Sequence, residues 1–431
     1  MKIYGVRTIA LYALALAALW ATMENAMSAE MLIDGVPLPD DVKIAPSPGV
    51  ATEPSKRFVG AWFGAWDDNL KHILIVEDVR ADGTAQVISA IGDNPSVNIT
   101  RAWVRTNAII SGDTLTISAS SKSVYTLASG TLTAVFQRGN IRSNARLSKV
   151  ALNELIRPGA AIPWSRRKVE FLDTSLTEDG KPVRLEVVLF KPDGAGPFPL
   201  LVINHGSTGR GDDPRLFKQT RWNFAIADFF NRKGWLVAFP QRRGRGNSDG
   251  LYDEGFAPDR SLGYTCEPDR SLAGADRALE DIDAAMTALR RRPDVNARRV
   301  IMGGVSRGGV LSIAYAGQHP DGVLGVINFV GGWLGTACPT ADNVNGALFR
   351  RGATFTGPTI WLYGRDDRFY PIDHSRGNFA VFQRAGGKGE FFEFDVPGVK
   401  NGHGLDGYPE LWTSNVDEFM ATIETGKTND H

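Results

Sequence analysis

Hydrophobic and polar positions follow two rhythms along this chain, and the change falls near residue 166. Between residue 58 and about residue 147, short alternating or β-branched runs recur at residues 72–76, 84–88, 108–110, 114–117, 123–127 and 131–136. A two-residue period puts one face of a strand inside and the other outside. Asp82-Gly83, Ser111-Gly112-Asp113 and Ser129-Gly130 separate the runs, and glycine beside a short polar residue reaches the backbone angles of tight turns. The pattern predicts a meander closed into a small all-β barrel or sandwich over residues 58–150.

From Arg166 onward, strand-like runs at residues 185–190, 200–204, 235–239, 299–305, 323–330, 359–363 and 390–394 alternate with helical ones. Residues 217–233, 273–291, 378–384 and 411–422 carry apolar positions at three- and four-residue steps, the spacing of one helix face. Strand-helix alternation predicts an α/β domain over residues 166–431. Its sheet is mostly parallel and covered on both faces, and the loops at the carboxyl ends of its strands form the site.

One stretch packs a strand, a turn and a nucleophile together: V-I-M-G-G-V-S-R-G-G at residues 300–309. Val300, Ile301 and Met302 suit a strand buried on both faces, and Gly303-Gly304 removes side chains where the chain must bend. Gly304-Val305-Ser306-Arg307-Gly308 fits G-x-S-x-G, a strained strand-to-helix turn that lifts a serine hydroxyl above the sheet. An acyl-transfer serine also needs a base, an orienter for the base and donors for the oxyanion. Of six histidines, His72 lies in the β domain, His205 precedes the nucleophile, His319 ends a helix and His431 ends the chain. His374 and His403 remain. His403 is chosen because glycines flank it in a loop between the last strand and the last helix. The acid falls in G-R-D-D-R-F-Y-P after the strand at 359–363, with Asp367 preferred to Asp366. For the oxyanion, Asn204-His205-Gly206-Ser207 follows a strand directly. The donors are read as the backbone N–H of Ser207, with Gly206 as its neighbouring alternative, and that of Arg307. His205 is then structural, and the arginines of residues 241–250 either hold loops or meet an anionic substrate.

His205-Gly206, R-G-x-G-x-S-x-G from Arg243 to Gly250, G-V-S-R-G-G, G-x-x-D-x-x-x-P and G-H-G together resemble the α/β-hydrolase superfamily. The nearest groups are dienelactone-hydrolase-like proteins and the catalytic domain of prolyl-oligopeptidase-like enzymes. The resemblance implies an α/β-hydrolase fold and a serine hydrolase acting on small-molecule carboxylic esters through Ser306, His403 and Asp367, without a metal or an organic cofactor. This elbow carries serine where dienelactone hydrolases proper carry cysteine. The alternatives are an exopeptidase of the prolyl-oligopeptidase type and a ligand-binding protein whose hydrolase half is inactive. Gly60-Ala61-Trp62 in the β domain resembles the G-x-W start of lipocalin-like barrels.

Composition adds compartment and partners. With 431 residues, two domains are expected, and Lys plus Arg equals Asp plus Glu at 48 each. No global field then draws the chain to nucleic acid or anionic membrane. Arg242-Arg243 and Arg290-Arg291-Arg292 read as local solvated clusters. Residues 1–29 have a basic start, an uncharged apolar core and small residues near Ser28 and Ala29, the pattern of a secretory signal peptide whose removal leaves no membrane insertion. Residues 30–57, rich in proline and acids, read as a linker. Export to the periplasm or beyond favours a disulfide between Cys266 and Cys338, the two cysteines of the chain. Oligomeric state is left open.

Overall fold

The computed structural model describes residues 30–44, 53–66, 70–94, 99–119, 121–128, 130–138, 141–158, 167–192, 194–396 and 402–425. The leader expected at residues 1–29 lies outside them. The chain divides into two compact units, residues 1–165 and 166–431.

The first unit opens where a linker was expected. β1 (Glu30–Ile33) and β2 (Val36–Pro39) form an antiparallel hairpin. Asp34 and Gly35 turn it at φ 48° and 80°, the doubly positive pair that matches strand twist in a two-residue hairpin. Val36 and Leu38 are fully buried. Apolar residues alternate with prolines here, and that composition hid an Asp-Gly hairpin signal.

β3 (Gly60–Trp66), β4 (Leu70–Val79), β5 (Thr84–Ile91), β6 (Ala102–Ser111), β7 (Thr114–Ser118), β8 (Lys122–Ala128), β9 (Thr131–Arg138) and β10 (Ile141–Val150) close a barrel in which β10 pairs with both β9 and β3. Closure removes the free strand edges. Its interior is a packed core that includes Trp62, Trp66, Leu74, Val87 and Leu132. Trp62 donates its indole N–H to the Phe58 carbonyl at 2.7 Å.

His72 lies fully buried in this unit, with Nδ1–H donating to the Ala90 carbonyl at 2.8 Å and Nε2 accepting from the Tyr125 hydroxyl at 2.9 Å. The neutral form satisfies both ring nitrogens without placing a charge in the core. Burial pushes the imidazole from 6.5 down to about 4. The unfolded chain therefore takes up a proton in this window that the folded barrel refuses. Stability falls as the pH drops through the window and levels off below it. The loss is about 3 kcal/mol. His72→Gln, which retains a donor and an acceptor, removes that dependence. Urea midpoints of both proteins at about pH 7 and about pH 4 measure it, and equal acid losses in the two would contradict the assignment.

The second unit is one sheet of eight strands in the order β11-β12-β14-β13-β15-β16-β17-β18. They are β11 (Arg167–Glu178), β12 (Lys181–Phe190), β13 (Phe198–Asn204), β14 (Leu236–Pro240), β15 (Val295–Val305), β16 (Val323–Phe329), β17 (Thr359–Gly364) and β18 (Glu390–Phe394). β12 pairs antiparallel with β11 and β14, and every later pairing is parallel. Helices Phe224–Asn231, Pro268–Arg290, Arg307–Gln318, Ala341–Gly352, Ile372–Arg384 and Pro409–Thr425 cover its two faces. This is the α/β-hydrolase fold preceded by a β-barrel. Central strands buried on both faces need continuous apolar sequence, and Val300, Ile301 and Met302 are fully buried. Because β13, β15 and β17 run parallel, residues 205–208, 306 and 366–370 all leave the sheet at its carboxyl edge.

Candidate active site

Ser306 stands between β15 and the helix Arg307–Gln318 at φ 58° and ψ −123°. A non-glycine residue held there costs about 1–3 kcal/mol, so its surroundings must fix it. The Ser306 N–H donates to the Phe329 carbonyl at 2.9 Å, and its carbonyl accepts from Gly332 at 3.2 Å. The turn points the side chain away from the strand's own neighbours. On the far side lies Gly206, where a β-carbon would come 3.0 Å from the Ser306 β-carbon. Glycine there lets the β13 loop close on the nucleophile.

Asp367 and His403 meet across two loops. His403 Nδ1 is 2.8 Å from Asp367 Oδ2, while Asp367 Oδ1 accepts from the backbone N–H groups of Phe369 at 2.7 Å and Tyr370 at 3.1 Å. The carboxylate is thus bonded on both oxygens. Its side chain is 0% exposed and that of His403 25%. Asp366 is exposed, and its carbonyl accepts from the Gly402 N–H at 3.1 Å. The loops come this close because Gly364 faces Gly402; a β-carbon at Gly364 would lie 2.3 Å from the Gly402 carbonyl oxygen.

His374 is paired elsewhere. Its Nδ1 binds Asp342 at 2.6 Å, and its Nε2 accepts from the side-chain amides of Asn345 at 2.9 Å and Asn378 at 3.0 Å. With Nε2 taken by two donors, this imidazole has no lone pair left for a serine proton. Asn345 also receives the N–H groups of Trp333 and Leu334, so this second histidine braces the loop after β16.

Among the described residues His403 is hydrogen-bonded to Asp367, and the Ser306 hydroxyl lies near the Tyr370 phenol. The Tyr370 ring centroid lies 5.5 Å from that of His403. Ser306 and the Asp367–His403 pair therefore share the carboxyl edge of the sheet, with the Tyr370 phenol near them. No sequence motif signalled Tyr370, because the position before the proline of the acid loop carries no fixed chemistry.

At the oxyanion loop, Thr208 N–H donates to the Tyr264 hydroxyl at 3.2 Å. The N–H groups of Ser207 and Arg307 donate to no acceptor among the described residues. Arg307 is the first residue of its helix, where N–H groups lack intrahelical partners and the helix end favours negative charge. The Ser207 N–H belongs to the same peptide as the Gly206 carbonyl, which accepts from His205 Nδ1 at 2.8 Å and from Arg245 Nη1 at 3.3 Å. Polarising that carbonyl strengthens the N–H on its other side. His205 Nε2 accepts from the Arg242 N–H at 3.1 Å. Burial, then the charges of Arg242 and Arg245, hold the imidazole well below its ordinary value, so it stays neutral.

The arginines of this region are buried, contrary to the solvated positions expected for Arg242 and Arg243. Arg242 pairs with Glu254 at 2.6 Å and also bonds the His205 carbonyl, while Arg243 pairs with Asp281. Consecutive charges read as surface in a sequence, but each here reaches a buried carboxylate of another element. Burial pushes the Glu254 carboxyl up, but Arg242 and Arg307 outweigh it and hold the group below its usual range. The Arg307 guanidinium lies 3.7 Å from the Tyr264 ring centroid and 4.2 Å from that of Trp333, an arrangement that fixes it by stacking as well as charge. Glu254, Tyr252, Tyr264 and Thr208 form one hydrogen-bond chain to the oxyanion loop.

Cys266 and Cys338 form a disulfide, with α-carbons 5.3 Å apart and a sequence separation of 72. Thr340 adds a hydrogen bond from its hydroxyl to the Cys266 carbonyl. The bridge closes a loop that contains Ser306. Closing a loop this long constrains the unfolded chain, a stabilisation of about 2–4 kcal/mol. The Cys266→Ser, Cys338→Ser protein is expected to lose that much in urea unfolding relative to the oxidised parent. A midpoint equal to the parent's would show the bridge adds nothing to stability.

Among the described residues, no group of three or more histidine, cysteine, aspartate or glutamate side chains could hold a metal ion, and no helix is long and apolar enough to cross a membrane.

Solved structures similar to this chain include Est1E from Butyrivibrio proteoclasticus with bound ferulic acid, 17% identical with a TM-score of 0.42 over 59% of this chain and 99% of that one. The Pyrococcus furiosus esterase Pf2001 is 15% identical with a TM-score of 0.42, over 62% of this chain and 95% of that one. Acetyl xylan esterase 1 from Thermoanaerobacterium sp. JW/SL YS485 is 19% identical with a TM-score of 0.36, over 53% and 82%. No protein-family model matches the chain, and no curated protein does.

Proposed function

We propose that this protein is an exported serine hydrolase that cleaves carboxylic esters of small molecules. The observation that carries the reading is the His403–Asp367 hydrogen bond at the same carboxyl edge of the sheet as Ser306 on its strained turn. Asp367 accepts a hydrogen bond from the Nδ1–H of His403 without taking the proton, which leaves the Nε2 lone pair to take the Ser306 proton. Ser306 Oγ then bonds to the ester carbonyl carbon, and the carbonyl electrons move to the oxygen. The N–H groups of Ser207 and Arg307 receive that charge. Collapse expels the alcohol with the proton from His403. Water, deprotonated by the same histidine, releases the acid and restores Ser306.

Export is inferred from the leader pattern of residues 1–29, and the disulfide is in keeping with an oxidising compartment. The barrel's packed interior argues against the reading of a ligand-binding protein with an idle hydrolase half. The test is a side-by-side assay on p-nitrophenyl esters of graded chain length, acetylated sugars, aromatic esters and aminoacyl-proline amides. Turnover of esters well above amides is expected. Preference for the aminoacyl-proline amides would replace this reading with an exopeptidase.

A further inference from the structure

The acid loop delivers a side chain that the Ser306, His403 and Asp367 mechanism does not use. Tyr370 is buried and donates its hydroxyl at 2.7 Å to the carbonyl of Gly332, whose N–H holds the Ser306 carbonyl at 3.2 Å, and the Ser306 hydroxyl lies near the phenol. Its ring packs on His403, and its backbone N–H holds Asp367. A β-carbon at Gly332 would come 2.5 Å from Tyr370 Cε1, so the ring has one seat. The Ser375 hydroxyl fixes the Tyr370 carbonyl at 3.2 Å. A single residue thus meets His403 and Asp367 and stands near Ser306.

A phenol has one proton and two lone pairs. At rest the phenol proton sits on the Gly332 carbonyl. That changes when Ser306 gives its proton to His403, because charged Oγ is a stronger acceptor than a carbonyl. We propose that Tyr370 is a fourth catalytic side chain, whose O–H turns from the Gly332 carbonyl to Ser306 Oγ whenever that oxygen carries charge. This occurs twice per turnover. In acylation Oγ is the attacking atom: its proton goes to His403 Nε2, Oγ forms the new bond to the ester carbonyl carbon, and the carbonyl π pair moves to the carbonyl oxygen. In deacylation the same C–O bond breaks, the electron pair returns to Oγ and the proton comes back from His403. Tyr370 keeps its own proton throughout, and burial pushes the phenol up to about 12, which preserves it as a donor.

The inference rests on Ser306 being the nucleophile. Tyr370→Phe keeps the ring and removes the hydroxyl. A hydrogen bond to a charged atom is lost in both steps, so kcat falls between about tenfold and a hundredfold, with KM unchanged. The loss is equal for p-nitrophenyl esters, limited by deacylation, and ethyl esters, limited by acylation. A merely structural role would misplace His403 and penalise ethyl esters more, because their alcohol needs the histidine's proton to leave. Unequal loss, or full activity on both, overturns the proposal. If the phenylalanine protein does not fold, 3-fluorotyrosine at position 370 carries the test. Its more acidic O–H raises kcat on both esters, and an unchanged kcat overturns the proposal. Wild-type protein that a fluorophosphonate fails to label at Ser306 sinks the hydrolase reading itself. Labelled wild type with a fully active phenylalanine variant sinks only the role of Tyr370.

Discussion

Ser306→Ala lowers kcat on short p-nitrophenyl esters by about 10⁵- to 10⁶-fold. The loss is this large because the other parts act only through the hydroxyl. His403 has no proton to take from alanine, and no covalent intermediate forms. What remains is the binding cleft with its oxyanion donors, which accelerates attack by water only modestly. The protein stays folded. Its strained backbone at position 306 is held by bonds from the main chain, to Phe329 and Gly332, which alanine keeps. Steady-state kinetics beside urea unfolding separate the two effects, and an alanine protein as active as wild type would exclude the mechanism.

Asp367→Asn lowers kcat by about 10⁴-fold while leaving the shape of the site intact. The reason lies in the donors around the carboxylate. Oδ1 accepts from the N–H groups of Phe369 and Tyr370, so an asparagine must present its carbonyl oxygen to them. Its NH₂ then faces His403 Nδ1. That nitrogen becomes an acceptor, the ring proton moves to Nε2, and the atom facing the nucleophile is already protonated. The tautomer is wrong although no atom has moved. Asp366→Asn is the matched control and keeps full activity. Comparable losses in both variants would mean the loop, rather than one carboxylate, matters.

Much of the second unit was legible because its physics is local. The apolar run 300–302 and the glycines after it require a buried strand that bends, and the structure places Ser306 at that bend. His403 was separable from His374 only by loop position. The structure adds the chemical reason, since Asn345 and Asn378 occupy His374 Nε2. β11 was missed because charged and apolar residues share an edge strand with Val169 and Phe171 exposed. The helix Ala341–Gly352 was missed because asparagine and glycine lower its propensity. In the barrel, alternation marked most strands, but closure depends on β10 pairing at both edges, which no local pattern encodes. Tyr370, Arg245 and the chain from Glu254 to Thr208 depend on contacts between distant segments, and such residues look ordinary in sequence.

Peptide mapping by mass spectrometry after reaction with a fluorophosphonate tests most directly whether Ser306 is an activated nucleophile. A single adduct on Ser306 is predicted in the wild-type protein, absent from Ser306→Ala and formed far more slowly in His403→Ala. An unlabelled wild-type protein, or an adduct on another residue that persists in Ser306→Ala, would contradict it.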